Sequence, residues 1–241
     1  MRPGPRRSLT HPEILDAAFE LLETKGFDAV SVRGVAGALG LTPTAMYTYY
    51  PNKQALLAGM VEQVLGRLHG VDPTTTDAAD AGAHAPTPEP RDRVQALASA
   101  LRDLLVERPG AVGLLLATPL DGPNAARMDE ELLTAFTDAG LDLASAGRAA
   151  HAVRVHVLGA VAFDAADAVR EADAAREAEV APDPAAGSTS AAASDTLWDD
   201  LESFPLSGRS RDLDDDPAGR FAWGLDRLLD GLLAATGPAA R

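Results

Sequence analysis

Apolar residues recur three and four positions apart along most of the chain, which is the spacing of one face of an α-helix. Beyond the first 70 residues, this period occurs at 93–106, 128–136, 149–169 and about 218–237. Two stretches rich in Pro, Thr, Ser and Ala interrupt it, at 72–90 and 181–196, and these predict loops. Because alternating runs of β-branched residues are rare, the pattern predicts an all-α fold.

The first two predicted helices are marked by capping residues. Thr10 and Glu13 have the spacing of a capping box, in which a hydroxyl and a carboxylate each bond a free backbone N–H at the helix start. Ser31 is a typical N-cap for a second helix, which ends at Gly40. The sequence therefore places two helices within the first 40 residues.

A third helix follows almost at once. Thr42 is a further N-cap, Pro43 suits the first helical position, and the helix runs to about Tyr50 because the next residue is a proline. Asn52 then caps a fourth helix that extends to about Leu68. Two short helices joined at a glycine and set on a longer one form the helix-turn-helix geometry, which places its second helix in the DNA major groove.

The predicted second helix of this motif exposes small polar groups. Thr42, Thr44, Thr48 and Tyr49 can donate to phosphates or contact a thymine methyl group. Arg33, at the start of the preceding helix, can reach a guanine with both guanidinium nitrogens. Any capped three-helix segment would show a similar pattern, so ordinary helical packing remains an alternative at this point.

Charge is distributed unevenly between the two ends of the chain. The protein has 241 residues, with 36 acidic and 21 basic side chains and a formal charge of -15. Residues 1–70 hold seven basic and six acidic residues, whereas the remainder holds 14 and 30. The first ten residues carry three Arg and no acid. A uniformly basic nucleic-acid binder is excluded, but a nearly neutral N-terminal DNA-binding segment with a basic arm is not.

Several other classes of protein find no support in the sequence. Without cysteine, the chain has no disulfide, no thiol nucleophile and no cysteine-ligated metal. It shows no nucleophile elbow, no phosphate-binding glycine loop and no metal-ligand spacing, so we expect no enzyme activity, no cofactor and no metal. No run of about 20 apolar residues is present, which predicts a soluble, cytoplasmic protein without a membrane partner.

The segment from Ile14 to Met60, ILDAAFELLETKGFDAVSVRGVAGALGLTPTAMYTYYPNKQALLAGM, resembles the tetracycline-repressor (TetR/AcrR) family of transcriptional regulators. The resemblance implies an N-terminal three-helix DNA-binding domain and a larger helical domain for ligand binding and dimerisation. It implies phosphate contacts from Ser31, Tyr47, Tyr49 and Lys53. It implies base contacts from Arg33, Thr42, Pro43 and Thr44. We assign Tyr50 to the core.

A second resemblance covers the later part of the chain. LLVERPGAVGLLLATPLDGPN, ELLTAFTDAGLDL and FAWGLDRLLDGL are similar to the ligand-binding half of tetracycline-repressor-type members. The resemblance implies a ligand tunnel beneath the end of the fourth helix, where His69 matches a drug-contacting histidine. Leu114 and Phe163 fall where the tetracycline-binding member holds a magnesium ion through a His and a Glu. Neither side chain can ligate magnesium, so tetracycline–magnesium binding is not expected.

We therefore predict a small-molecule pocket without a metal. The predicted apolar lining is Leu101, Leu114, Phe136 and Phe163. The predicted polar groups are His69, Arg154 and His156. For the two histidines, capping of a helix end and packing between helices remain the alternative interpretations.

The same resemblance implies that the last helices of two copies pair in a four-helix interface. A single helix-turn-helix makes few base contacts, so specificity normally requires two copies related by a two-fold axis. Helices 149–169 and 218–235 are the candidates, since small residues there permit close approach: Gly159, Ala160, Gly224 and Gly231. Ordinary core packing remains the alternative for both helices.

The predicted organisation is a flexible basic arm at 1–10, a helix-turn-helix domain at 11–52 and a connecting helix at 53–71. A loop at 72–90 leads to a ligand-binding and dimerisation domain at 91–241, with a flexible loop at 181–196. The predicted function is a homodimeric repressor that binds a palindromic double-stranded operator and is released by a small amphipathic effector. The alternative is a helical ligand- or partner-binding protein whose helix-turn-helix has decayed, as Gly34 and Gly37 in the second helix would suggest.

Overall fold

The computed structural model describes residues 9–69, 88–180, 206 and 216–234. Residues 1–8 of the predicted arm, most of the 72–90 loop and the whole 181–196 loop lie outside the described residues. Within the described part, the secondary structure is helical and contains no strand. The prediction of an all-α fold is confirmed.

Three helices and the connecting helix make up the N-terminal part. They are α1 (His11–Lys25), α2 (Val32–Ala38), α3 (Pro43–Met46) and α4 (Lys53–Gly66), with 3-10 turns at Phe27–Ala29 and Arg67–His69. We call residues 9–52 the head, and α4 connects it to the rest. The C-terminal part, the body, consists of α5 (Pro90–Glu107), α6 (Gly110–Ala117), α7 (Pro123–Asp138), α8 (Leu143–Val180) and α9 (Pro217–Ala234).

The N-terminal helices begin at the capping residues that the sequence predicts. The Glu13 amide donates to Thr10 Oγ1 at 3.4 Å, and the Thr10 amide donates to Glu13 Oε2 at 2.9 Å, which completes the capping box. The side chains of Ser31, Thr42 and Asn52 accept the corresponding amide bonds at α2, α3 and α4, at 3.0, 3.3 and 2.8 Å. Each cap satisfies a backbone N–H that the helix itself leaves unpaired.

Helix α3 is shorter than predicted. It is a single turn that ends at Met46, and residues 47–49 continue as a turn. The amides of Tyr49 and Tyr50 both donate to the Met46 carbonyl at 3.0 Å, which tightens the backbone. The α-helical ladder therefore ends one turn before Pro51 rather than next to it.

The body is built around α5, α7 and α8, with α9 packed against α8. Its core includes Leu105, Met128, Phe136 and Val157, all with less than 2% of their surface exposed. Helix α6, which the periodicity did not predict, is apolar on all sides and contains two glycines, so it carries no amphipathic signal. Through α4 and α6, the body core is continuous with the head core.

Helix α8 begins earlier and ends later than the predicted 149–169. The Asp142 carboxylate accepts the Ser145 amide at 2.8 Å and so caps the helix start, and this bond lowers the pKa of Asp142. At the other end, pairs of Asp and Arg three positions apart bond along the helix surface, from Asp167 to Arg170 and from Asp173 to Arg176. Local polar contacts thus extend α8 beyond its apolar part. No helix in the described part of the chain is long and apolar enough to cross a membrane.

Candidate DNA-binding and ligand-binding sites

The residues predicted to face bases lie at the N-terminal ends of α2 and α3. Arg33, Thr42, Pro43 and Thr44 are all exposed, and we call these four residues the reading surface. Arg33 is the second residue of α2, and the other three form the cap and first turn of α3. Helices α2 and α3 pack against each other, and each contributes a fully buried residue to the core, Val35 and Met46. The helix pair therefore presents a guanidinium and three small groups to solvent on a fixed support.

Ser31 and Thr42 cap helices α2 and α3 through their hydroxyl oxygens, and each hydroxyl keeps its O–H group as a donor. Each hydroxyl oxygen accepts one backbone amide, from Gly34 and Ala45 respectively. A hydroxyl has one hydrogen to donate in addition to its acceptor capacity. The O–H group of each cap can therefore donate to a phosphate oxygen without losing the capping bond.

The three tyrosines after α3 have different environments. Tyr47 is 45% exposed, and Tyr49 is partly buried. Tyr50 is 7% exposed, and burial raises the pKa of its phenol, so the core assignment is confirmed. The His11 ring lies edge-on to the rings of Tyr49 and Tyr50, with 5.5 Å between centroids in both cases. Tyr47 and Tyr49 remain as the surface phenols of this turn.

Lys53 is held at the start of α4 by an aromatic ring. Its Nζ atom lies 4.9 Å from the centre of the Phe27 ring, a cation–π distance. A cation at a helix N-terminus is unfavourable for the helix itself. The start of a helix nevertheless suits an anion, because its first backbone amides have no partner within the helix. Lys53 thus adds a positive charge to a helix N-terminus that already suits an anion.

The close approach of the 3-10 turn to α2 explains one of the two unusual glycines. A Cβ atom on Gly34 would lie 2.6 Å from the Ala29 carbonyl oxygen and 3.2 Å from a methyl carbon of Leu21. Gly34 is therefore required by packing. At Gly37 a Cβ atom would meet nothing within 4 Å. Gly34 therefore does not indicate a decayed helix-turn-helix, because packing accounts for it.

The structure does not bring the predicted apolar pocket lining together around one cavity. Leu101, Leu114 and Phe136 are buried in the body core, at 4%, 0% and 0% exposure. Phe163 lies on the surface of α8 and is 74% exposed. The spacing of apolar residues shows that a helix face is buried, but not which of several faces borders a cavity.

Two of the predicted polar pocket residues, Arg154 and His156, already have partners within the body. Arg154 on α8 pairs with Asp129 on α7, and burial lowers the pKa of its guanidinium. His156 stacks on Phe221 of α9 at 5.2 Å between centroids, and a ring nitrogen lies 3.1 Å from the Phe221 carbonyl oxygen. His69 ends the 3-10 turn after α4, and its side chain lies outside the described residues.

A groove of about 550 Å³ lies between α5, α7 and the end of α4. Its walls include Leu68, Val94, Leu97 and Leu132, with Glu130 and Thr134 as polar lining groups. The volume is within the range of small-molecule sites. Leu68 precedes His69, so the groove borders the predicted position of the ligand-contacting histidine.

Helix α4 carries polar contacts to both parts of the molecule. Gln63 Nε2 donates to Asp16 Oδ1 of α1 at 2.9 Å. Glu62 accepts the amides of Asn124 and Ala125 at 2.8 and 3.3 Å, and Asn124 Nδ2 donates to the Glu62 carbonyl at 2.9 Å. Adjacent residues of α4 therefore bond to α1 in the head and to α7 in the body.

Two further contacts join the head to the body beside α4. The Arg108 guanidinium lies 5.0 Å from the centre of the Phe19 ring of α1. A Cβ atom on Gly110, at the start of α6, would lie 3.1 Å from Leu22 Cγ. Both contacts are made to side-chain surfaces of α1.

Two protein families together match most of the chain. The family described as bacterial regulatory proteins, tetR family, matches residues 14–60, and the family described as tetracyclin repressor-like, C-terminal domain, matches residues 85–236. The chain belongs to the tetR family of bacterial regulatory proteins. Both sequence resemblances are thereby confirmed.

Relatives of this tetR-family chain are named as transcriptional regulators. It is 27% identical to the HTH-type transcriptional repressor DrrR1 of Streptomyces coeruleorubidus over 236 residues, which cover 95% of this chain and 79% of that protein. It is 31% identical to an HTH-type transcriptional regulator of Saccharopolyspora erythraea over 153 residues. That alignment covers 64% of this chain and 60% of the relative.

Solved structures of the family share the fold. ActR of Streptomyces coelicolor in complex with (S)-DNPA has a TM-score of 0.66 and 20% identity, with 95% of this chain and 100% of that chain covered. BioQ with its double-stranded DNA operator has a TM-score of 0.58 and 23% identity, with 94% and 99% covered. At these sequence identities, the similarity establishes a shared fold and nothing beyond it.

Glu62 and Asn124, at the head–body junction of this tetR-family regulator, were not predicted from the sequence. Glu62 lies in a helix whose apolar face was recognised, and an isolated carboxylate on the opposite face carries no local signal. Asn124 follows Pro123 in a stretch read only as part of a resemblance. The order Gly-Pro-Asn at 122–124 is typical of a helix start and could have indicated that α7 begins before the predicted 128–136.

Proposed function

We propose that this tetR-family chain is a homodimeric repressor that binds a palindromic operator and leaves it when a small amphipathic molecule binds the body. The observation that carries the proposal is the exposed reading surface, which lies within the segment that matches the tetR family of bacterial regulatory proteins. Arg33, Thr42, Pro43 and Thr44 face bases in this proposal. Ser31, Tyr47, Tyr49 and Lys53 contact phosphates.

The proposed dimer surface is a second apolar stripe on α8. Val153, Val157 and Val161 form the buried stripe. Four-residue spacing aligns Val155, Gly159 and Phe163 on another side, where Val155 is 54% exposed and Phe163 is 74% exposed. A large exposed apolar surface is typical of an interaction site.

Helix α9 adds to this dimer surface. Trp223 is 71% exposed on it, and Gly159 and Gly231 face open space, where a second copy can approach closely. Gly224 has a different role, because a Cβ atom there would lie 2.7 Å from His156 Cε1. The last two described helices therefore supply the dimer contacts in this proposal.

We propose the groove between α5 and α7 as the effector site. Its leucines offer an apolar wall, and Glu130 and Thr134 offer polar contacts at its edge, which suits an amphipathic molecule. His69 follows Leu68 at one end of this groove and is the predicted residue that this proposal retains. Leu101, Leu114 and Phe136 act as the core behind it, and His156 and Phe163 belong to the α8–α9 surface.

The proposed boundaries are the DNA-binding domain at 11–52, the connecting helix at 53–71 and the ligand-binding and dimerisation domain at 91–241. The proposed regulator acts in the cytoplasm by binding alone, without catalysis. Its acidic body repels DNA, so we expect affinity to depend on a few contacts doubled by symmetry.

The test is selection of bound duplexes from a random library by the full-length protein, followed by gel-shift titration at two salt concentrations. We expect a palindromic sequence whose affinity falls steeply with salt, because phosphate contacts release counterions. Replacing Arg33 and Tyr47 together by Ala removes a base contact and a phosphate contact and should abolish sequence-specific binding. Unchanged binding by that double variant, or no enriched sequence, would contradict the proposal.

A further inference from the structure

Glu62 and Asn124 form a reciprocal polar contact between α4 and α7. The carboxylate accepts two amides at the N-terminus of α7, which the helix itself leaves unpaired. A charge-assisted bond at a helix N-terminus is directional and stronger than a neutral one. The third bond runs the other way, from the Asn124 side chain to the Glu62 carbonyl. Together they fix the position of α7 along α4.

Two glycines allow this contact to form. A Cβ atom on Gly122 would overlap the Glu62 carboxylate, and a Cβ atom on Gly66 would lie 3.1 Å from Asn124 Nδ2. A side chain at position 122 must displace the carboxylate from the amides that it binds. A substitution at Gly122 can therefore disrupt the contact without changing Glu62 or any residue of the head.

The position of this contact on α4 determines what it can control. Gln63, the next residue, bonds α4 to Asp16 of α1. Two other head–body contacts, the guanidinium over the Phe19 ring and the packing of Gly110 against Leu22, tolerate small shifts because neither requires hydrogen-bond geometry. Among the head–body contacts described above, the Glu62 bonds alone are directional bonds from α4 to the body.

We propose that the Glu62–Asn124 contact is a positioning device that holds each head at one orientation on the body and so sets the half-site spacing that the dimer accepts. This inference rests on the proposed dimeric DNA-binding function. It makes Glu62 and Asn124 positioning residues for operator binding, although neither belongs to the proposed DNA contacts.

The binding test uses the full-length protein and the duplex that the wild type selects from a random library, with one base pair added or removed at its centre. We expect the wild type to lose at least tenfold in affinity for either altered duplex. Glu62→Ala and Gly122→Ala should lose less than threefold, and Asn124→Ala should fall between them. At the original spacing, Glu62→Ala should bind about threefold to tenfold more weakly than the wild type.

Charge needs its own control, because removing a carboxylate strengthens DNA binding in general. Glu107→Gln removes an exposed carboxylate at the end of α5 and should keep the wild-type spacing preference. Glu62→Gln, with the same charge change, should relax that preference. If the spacing profile of Glu62→Ala matches the wild type while only its thermal midpoint falls, the contact merely caps α7 and the proposal is overturned.

A second measurement does not require DNA. The chain contains no cysteine, so Glu23→Cys on α1 and Ala144→Cys on α8 give two clean sites for spin labels. With labelled chains diluted in unlabelled chains, electron–electron distance measurement should show one narrow head–body distance, and Gly122→Ala should at least double its width. An unchanged width overturns the positioning role even if DNA binding holds. A broadened width without any selected duplex supports the positioning device and contradicts the DNA-binding proposal.

Discussion

In the head, the capping side chains bond amides of their own helices, whereas in the body several charged side chains pair between helices. Thr10, Ser31 and Thr42 bond amides three residues away in their own helices. In the body, Arg91 of α5 pairs with Asp226 and Asp230 of α9, and Arg154 of α8 pairs with Asp129 of α7. Contacts within a helix persist when the helix moves. The head can therefore reorient without losing its surface, while the body depends on cross-helix charges for its arrangement.

The largest expected effect separates two phenylalanines of the body. Phe136→Ala removes a fully buried ring from the core and should lower the free energy of unfolding by about 3–5 kcal/mol. Phe163→Ala removes an exposed ring and should leave the fold of each subunit intact while weakening dimerisation. Urea unfolding at fixed concentration and light scattering during dilution measure the two effects. These assignments would be contradicted if Phe136→Ala unfolded with the same free energy as the wild type, or if Phe163→Ala dimerised as tightly as the wild type.

The two glycines of α2 provide a matched pair in the head. Gly34→Ala should destabilise by about 1–3 kcal/mol, because the added methyl group meets the Ala29 carbonyl. Gly37→Ala should stabilise by about 1 kcal/mol, since alanine is the better helix former and the site is open. Thermal unfolding of both variants checks the pair. Equal effects of the same sign would show that the 3-10 turn does not press on α2.

We expect Ser31 to contribute to both helix capping and DNA binding, and Asn52 to contribute to capping alone. Ser31→Ala and Asn52→Ala should each cost about 1 kcal/mol of stability, because each loses one capping bond. Ser31→Ala should in addition lower operator affinity at every sequence, since its hydroxyl hydrogen is assigned to a phosphate. Chemical denaturation and gel-shift titration of both variants separate the two roles. Equal operator affinities would remove Ser31 from the proposed contacts.

The smallest expected effect is on the stability of the protein at acidic pH. Hydrogen bonds from Arg91 and then from Arg227 lower the pKa of Asp226 below its usual value of about 3.9. Folding thus favours the ionised carboxylate, and its contribution is present above about pH 4 and disappears as the pH falls through the lowered value. Asp226→Asn should flatten the acid side of the stability profile. Unfolding midpoints between pH 3 and 6 test this, and an unchanged slope would show that the pair adds nothing measurable.

The part of the fold that local signals control was predictable from the sequence. The N-caps at Thr10, Ser31, Thr42 and Asn52 act on amides within three residues, so a few letters suffice to recognise them. Tyr50 was placed in the core correctly. Helix α6 was missed because a helix that is apolar on every side has no periodic contrast, and α3 proved shorter because its end depends on a shared carbonyl acceptor.

The candidate ligand site was less predictable for a physical reason. Arg154 and His156 look like polar groups on an apolar helix, but their partners, Asp129 and Phe221, lie on other helices. Which helix faces which is decided by packing over the whole body, and no short stretch of sequence contains that information. The DNA-facing residues, by contrast, come from one continuous segment, and they remain predictions with a common location on the head.

The contact of Gly224 with His156 has a consequence for how this protein can diverge. A methyl group at position 224 would have to displace the imidazole at position 156 from its present position. The two positions are therefore expected to change together among descendants of this sequence. A lineage that gains alanine at 224 should carry a smaller side chain at 156, and one that keeps the histidine should keep the glycine.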